Sequence, residues 1–286
     1  MIRLSAFADE ISADLDEQIA VLRGENIHFL ELRGVWGTNV LDLSDREVAD
    51  VRRALDAASI GVSAIGSPIG KVPVNDSFDE HLDRFERAIT VARSFDTPYI
   101  RVFSFYPPTP TGAAGGEAGD TPTDPAAWRD EVVRRLREMT ARARAAGVTL
   151  LHENEKGIYG DTIARCVDLM QGVDDARFQA ILDPANFIQC GQTPYPDGYE
   201  ALRPWLRYAH VKDARDDGVV VPAGDGAGRW PDLLRRLRAD GYDGFLSLEP
   251  HLALAGRAGG FSGPEQFRRA VWALQGLLRA MDWGYA

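Results

Sequence analysis

Short apolar runs alternate along the chain with segments whose apolar residues recur every third or fourth position, the patterns of buried strands and of amphipathic helices. Ile2 to Ala8, His28 to Leu32, Ile60 to Ile65 and Tyr99 to Phe105 read as the first four strands. Leu15, Ile19 and Leu22, then Val48, Val51 and Leu55, then Phe78, Leu82, Phe85 and Ile89 stripe the helices between them. Asp14 with Glu17, and Ser44 with Glu47, have the spacing of capping boxes at two of the helix starts. Asp124 and Pro125 open a fourth helix, with Trp128, Val132 and Leu136 on its core face and Gly147 at its end.

The next four runs each stop in charge or amide: VTLLHENEKG (Val148 to Gly157), AILDPAN (Ala180 to Asn186), LRYAHVKD (Leu206 to Asp213) and FLSLEPH (Phe245 to His251). Helical spacing follows each of them. It places Ile163, Val167 and Met170 on one helix, a short helix near Tyr199 to Leu202, then Leu233, Leu234 and Leu237 on another. The last helix starts near Ser262 and Pro264 and buries Phe267, Val271, Leu274 and Leu278.

Eight strand-helix units with no composition break predict a parallel sheet. Their number within 286 residues predicts closure into an α/β (β/α)8 TIM barrel, residues 1–286 forming one domain. Strand C-terminal ends then converge on one face. Glu153, Asp183, His210 and Glu249, from strands five to eight, would point at one centre there, whereas an open doubly wound sheet would spread them. Two loops join that face. The β4-α4 loop at about 106–125, rich in Pro, Gly, Thr and Ala, exceeds ordinary connection lengths and reads either as a surface insertion or as a lid. Leu252 to Gly263 is Gly-rich and follows strand eight, where barrels often bind phosphate. GDGAG at Gly224 to Gly228 lacks the Lys-Ser/Thr of a P-loop and reads as a turn.

Two Glu, one Asp and one His present mostly hard oxygen donors and one imidazole, a set suited to Mn²⁺ first, then Mg²⁺, Co²⁺ or Zn²⁺. Any one of them alone is as readily a satisfied polar residue at a barrel rim; four at successive strand ends are harder to dismiss. A divalent ion gripping a carbonyl oxygen and a neighbouring hydroxyl acidifies the adjacent C–H, by several kcal/mol. A positioned base adds about 10² to 10⁴-fold. Neither alone reaches the ~8 kcal/mol at the low end of enzymatic acceleration, so metal and carboxylates belong to one mechanism with an enediolate intermediate. Two Glu on opposite sides of a carbon can take a proton from one face and return it to the other.

Composition narrows the partners. With 32 basic against 43 acidic residues the net charge is −11, which argues against an extended nucleic-acid surface. Cys166 and Cys190 have neither metal-type spacing nor a disulfide framework. MIRLSAFADE brings in acids at once and is no signal peptide, and no apolar run reaches the ~18 residues of a membrane span. The expectation is a cytoplasmic protein with a small-molecule substrate and no nucleic-acid or membrane partner. A homo-oligomer, dimer or tetramer, stays open.

Glu153-Asn154, LDPAN with Asp183, AHVKD with His210, Lys212 and Asp213, and GYDGFLSLEP with Glu249 carry a resemblance. Over essentially its whole length the chain resembles the xylose isomerase-like barrel superfamily of sugar isomerases, sugar epimerases and inosose dehydratases. The resemblance implies a metal at Glu153, Asp183, His210 and Glu249. As in ketose 3-epimerases, Glu153 and Glu249 would also be the catalytic acid/base pair. Two departures put a free ketohexose in doubt: Asn186 stands where the epimerases commonly have a second His, and Tyr159 near where they have a sugar-binding carboxylate. Arg215 approximates their substrate-gripping Arg. Glu31, Arg33, Trp36, Lys71 and Arg101 are candidates for holding sugar hydroxyls or a phosphate, with Trp36 stacking on a ring, and Asn186 and Lys212 are expected substrate contacts as well. His251 is a better neighbour for Glu249 than His152 is for Glu153, since alternation turns residue 152 toward the helices.

The runner-up is a metal-dependent lyase or dehydratase acting on an inosose or 3-keto sugar, which begins with the same proton abstraction. A non-catalytic carbohydrate-binding barrel is a third reading. DNA-repair endonucleases share the barrel but use many His ligands, and this chain has five His in all.

Overall fold

In the computed structural model the described residues are 1–109, 124–252 and 262–286. Eight strands carry the fold: β1 Arg3–Ala6, β2 Phe29–Leu32, β3 Gly61–Ile65, β4 Tyr99–Val102, β5 Thr149–Glu153, β6 Phe178–Leu182, β7 Leu206–Val211 and β8 Phe245–Leu248. Every ladder between them is parallel, in the order β1-β8-β7-β6-β5-β4-β3-β2. The two ends of that order, β1 and β2, lie against each other, so the sheet is a nearly closed barrel, as the alternation predicts.

Helices α1 Leu15–Gly24, α2 Asp45–Ala58, α3 Phe78–Ser94, α4 Arg129–Ala146, α5 Ile163–Val173, α6 Pro184–Gln189, α7 Tyr199–Leu202, α8 Trp230–Ala239 and α9 Gly263–Ala280 follow the strands. Their apolar stripes and the outward faces of the strands share one continuous core. A second, smaller apolar cluster of Ala64, Leu151, Ile181, Tyr208 and Phe245 fills the barrel interior. Side chains alternate along a strand. Two residues on from Leu151, Ile181 and Tyr208 the chain therefore directs Glu153, Asp183 and His210 inward at the C-terminal mouth. The same count from Phe245 through Ser247 directs Glu249 there.

The Ser44–Glu47 capping box closes in both directions. At α1 only half forms: Asp14 accepts the Glu17 N–H at 2.9 Å, while the Asp14 N–H donates to Ser12 Oγ instead. Helix α6 and two short hairpins, Gly34–Val35 with Thr38–Asn39 and Asp213–Ala214 with Val220–Val221, are additions that periodicity did not reveal, being too short for it. No helix among the described residues is long and apolar enough to cross a membrane. The lid reading of the β4-α4 loop rests on residues 110–123 and the phosphate reading of the strand-eight loop on 253–261; both lie outside the described residues.

Candidate metal centre

Glu153 ends β5, Asp183 follows β6 and caps α6, His210 lies in β7, and Glu249 follows β8. One donor atom from each falls within 4.8 Å of the others, and all four residues are buried. Local chemistry fixes each side chain. Asp183 Oδ1 accepts the Asn186 N–H at 2.9 Å, which leaves Oδ2 facing the cluster. Asn154, next to Glu153, ties β5 to β6: its side chain donates to Asp183 O and accepts from Asp183 N, both at 2.9 Å. His210 Nε2 lies 3.2 Å from Glu31 Oε2, a contact that assigns a proton to that nitrogen and turns Nδ1 toward the carboxylates, 3.1 Å from Glu153 Oε1.

These residues fit a divalent cation. His210 Nδ1 and Asp183 Oδ2 are buried and make no aligned hydrogen bond, only ion-pair contacts to Glu153 and Lys212, and they lie 3.9 Å from each other. A carboxylate holding the far ring nitrogen is the usual support of an imidazole ligand. Glu31, expected at the rim to hold a sugar, is instead fully buried beneath His210.

Cations balance the carboxylates. Arg101 NH1 donates to Glu153 Oε2 at 3.0 Å and lies 3.7 Å from Glu249 Oε1. Lys212 Nζ is 2.8 Å from Asp183 Oδ2 and donates to Glu249 Oε2 at 3.0 Å. Arg33 NH1 donates to Glu249 Oε1 at 2.9 Å, and His251 Nε2 is 3.3 Å from the same oxygen. Burial works against the charge on Glu153, yet His210 and Arg101 hold its carboxyl down at about 2. For Glu249 burial is likewise outweighed, by Lys212 and His251, and the carboxyl lies well below its usual range. Burial pushes Asp183 up to about 7 against the pull of Lys212. Burial disfavours a charged His210, but Glu153 and Glu31 lift it to about 10. A cation arriving at Nδ1 therefore has a proton to displace.

Of the residues expected to touch substrate, Arg101, Lys212 and Asn186 reach the cluster, Asn186 through Nδ2 to Glu153 Oε1 at 3.2 Å. Lys71 stands at its edge, paired with Glu155 at 2.8 Å and 4.3 Å above the Phe103 ring. Arg215 is not brought in: it is exposed and its nearest partner is Asp217. Trp36 sits at the tip of the Gly34–Asn39 hairpin, 43% exposed. Tyr159 is buried and donates to Asp168 Oδ2 in α5, at 2.8 Å. His152 packs against Gly160 and Leu169 on the helix side, and His251 lies beside Glu249, as alternation anticipates.

Sequence reasoning missed Phe7, Asp9 and Glu10. Phe7 lies edge-on to His210 at 5.2 Å and under the guanidiniums of Arg33 and Arg101 at 4.6 and 4.8 Å. Asp9 and Glu10 accept from Arg33 at 2.7 and 2.8 Å. The signal was present in FADE directly after the first strand, a position on the same mouth.

No curated protein matches the chain significantly. Among solved structures it is similar to the probable 3-DHS dehydratase AsbF involved in petrobactin synthesis from Bacillus anthracis, at 19% identity and TM-score 0.73, covering 96% of this chain and 99% of that one. A D-tagatose 3-epimerase-like protein matches at 15% identity and TM-score 0.75, with 98% of each chain covered. A xylose isomerase-like TIM barrel protein from Mycobacterium smegmatis in complex with magnesium matches at 19% identity and TM-score 0.68, with 97% of each covered. A family model matches residues 24–272, nearly the whole barrel, and with it the chain belongs to the xylose isomerase-like TIM barrel family.

Proposed function

We propose that this chain is a divalent-metal-dependent sugar isomerase or epimerase that moves a proton on a carbon next to a carbonyl. One observation carries the reading: four buried donor atoms within 4.8 Å of one another, with the imidazole among them anchored from behind by Glu31. Glu153, Asp183, His210 and Glu249 would hold the cation. When bound, it polarises the substrate carbonyl and stabilises the enediolate, a contribution of several kcal/mol. Mn²⁺ is the first choice for this donor set, and Mg²⁺, the ion named with the M. smegmatis relative, is next.

The chain's own groups divide the remaining work. Glu153 on β5 and Glu249 after β8 approach from different walls of the barrel, the arrangement that proton removal on one face and return on the other requires. Arg101 lies between them; His210 and Arg101 keep Glu153 ionised, and Lys212 and His251 keep Glu249 so, both ready to accept. Asn186 orients Glu153 through its Nδ2. Lys212, buried between Asp183 and Glu249, places an ammonium where negative charge develops on substrate oxygen. Phe7 and the other apolar side chains at the barrel mouth exclude water.

Lys212 also favours a second reading. A buried ammonium at the centre can protonate a β-leaving group, which would make the enzyme a dehydratase on an inosose or 3-keto sugar, and the AsbF relative is named a dehydratase. The test is turnover of a panel of ketoses, inososes and 3-keto sugars in D₂O by metal-loaded protein. An isomeric product with deuterium at carbon is the expected result, and a product lighter by one water would move the assignment to a lyase. If Glu153→Gln and Glu249→Gln, folded and metal-loaded, kept full turnover, the acid/base assignment would be wrong.

A further inference from the structure

Beside the centre, a cavity of about 260 Å³ opens between the loop after β1 and the hairpin after β2. Among the described residues Asp9, Ala13, Arg33, Gly34, Thr38 and Asn39 line it. Arg33 is the shared wall, since the guanidinium that faces this cavity also donates to Glu249 Oε1. We propose that the cavity is a second carbohydrate subsite, taking an uncharged, hydroxyl-rich part of the substrate that lies beyond its reacting carbons. The proposal rests on the carbohydrate reading of the metal centre.

Three observations carry it. The first is charge. Among the described residues Arg33 is the only cation lining it, and each of its three nitrogens already donates to a carboxylate, of Asp9, Glu10 or Glu249. Two of those carboxylates, Asp9 and Glu10, belong to the loop after β1, so among the described residues a phosphate or carboxylate here would meet more negative than positive charge. That excludes an anionic end for the ligand. The second is the polar inventory. Asp9 Oδ1 is a buried acceptor without a partner, and Asn39 engages its Oδ1 with the Leu41 N–H, leaving Nδ2 as a donor. The Thr38 hydroxyl adds a group that both donates and accepts, and Ala13, Gly34 and Gly37 are small enough to let a ring approach the backbone. Mixed donors and acceptors with no net cation are what a polyol needs.

The third is the hairpin itself. Its two turn residues, Trp36 and Gly37, are both left-handed, with φ of 54° and 73°. Such a turn favours Asn-Gly; a tryptophan there is a strained choice, and this one is 43% exposed between two residues that line the cavity. The Trp36 N–H donates to Ala13 O at 2.6 Å, so the tip is tied down. An exposed indole held in an unfavourable backbone conformation at the cavity's edge is suited to covering the apolar face of a sugar ring.

The test is binding, measured apart from turnover. Magnesium-loaded full-length protein is titrated with cellobiose, with D-glucose and with D-glucose 6-phosphate, and followed by saturation-transfer NMR. Cellobiose, which can fill both sites, should bind at least about tenfold more tightly than glucose. Asp9→Asn and Trp36→Gly should each bring cellobiose down toward the affinity of glucose, and Trp36→Gly should leave glucose binding unchanged. Trp36→Gly relieves the left-handed strain, so its folding is not at risk. Equal binding of the two neutral sugars, tighter binding of the phosphate ester, or full cellobiose affinity in both variants would overturn the subsite while leaving the metal-centre reading in place. Binding of none of the three would overturn the subsite, while the metal-centre reading is decided separately by the turnover test in D₂O.

Discussion

If Glu31 sets the direction of the His210 lone pair, Glu31→Gln should weaken cation binding without touching any of the four donor residues. The substitution keeps the shape of the side chain and removes its charge at a fully buried position 3.2 Å from His210 Nε2. Losing such a support typically costs about 10- to 100-fold in metal affinity. With Mn²⁺ at ~100 times the wild-type Kd, binding stabilises the native state by about 2.7 kcal/mol, and the variant should retain about 1.4 to 0.4 kcal/mol at that same concentration. For a chain of 286 residues with an unfolding entropy of roughly 2.1 cal/mol/K per residue, the wild-type Tm should rise by about 4–5 °C and the variant's by roughly 2 °C or less. The assay is calorimetry or fluorescence melting of EDTA-treated protein with and without Mn²⁺. Each variant is compared with itself, so any stability lost to the substitution cancels. A wild-type-sized shift in Glu31→Gln would refute the argument, and no shift in the wild type would refute the metal site.

Glu153→Gln and Glu249→Gln should each lower turnover by about 10² to 10⁴-fold on a substrate the wild type converts, measured at saturating metal. His81, buried in α3, accepts the Gly70 N–H through Nε2 at 3.2 Å, and burial, then Arg135 and Arg84, hold its imidazole down at about 4. The unfolded chain, with a pKa near 6.5, binds that proton more readily, so the contribution is intact above pH ~6.5 and falls by about 3 kcal/mol as pH drops through 4. His81→Gln keeps an acceptor without titrating, and its urea midpoint should change less between pH 7 and pH 4.5 than that of the wild type. Asp213→Ala should cost at least about 3 kcal/mol in urea unfolding, because the buried carboxylate accepts the N–H groups of Ala214, Gly224, Gly226 and Gly228, all of which it would orphan.

That carboxylate also explains GDGAG. The glycines at 226 and 228 are required because a Cβ there would lie 2.5 and 2.7 Å from Asp213 Oδ1. The turn wraps an internal anion in place of a phosphate, directly after Lys212 of the candidate metal centre.

Two periodicities, two residues in strands and about three and a half in helices, determined the barrel from sequence alone, because each reports which face of an element is buried. The same count put Glu153, Asp183, His210 and Glu249 at one mouth, since a parallel strand that ends in a polar residue can only release it at its C-terminal edge. What needed the tertiary structure was everything set by which strands are neighbours. Glu31 and His210 lie far apart in sequence, and nothing local says that one props the other. Asp9 and Glu10 look like ordinary acids of an early loop until closure of the barrel brings Arg33 between them and Glu249. The exposed Arg215 goes the other way, plausible by position and turned aside by its loop. A sequence pattern records burial, which each residue carries alone, but a site is made of pairs, and pairing across a closed sheet is decided only when the chain folds.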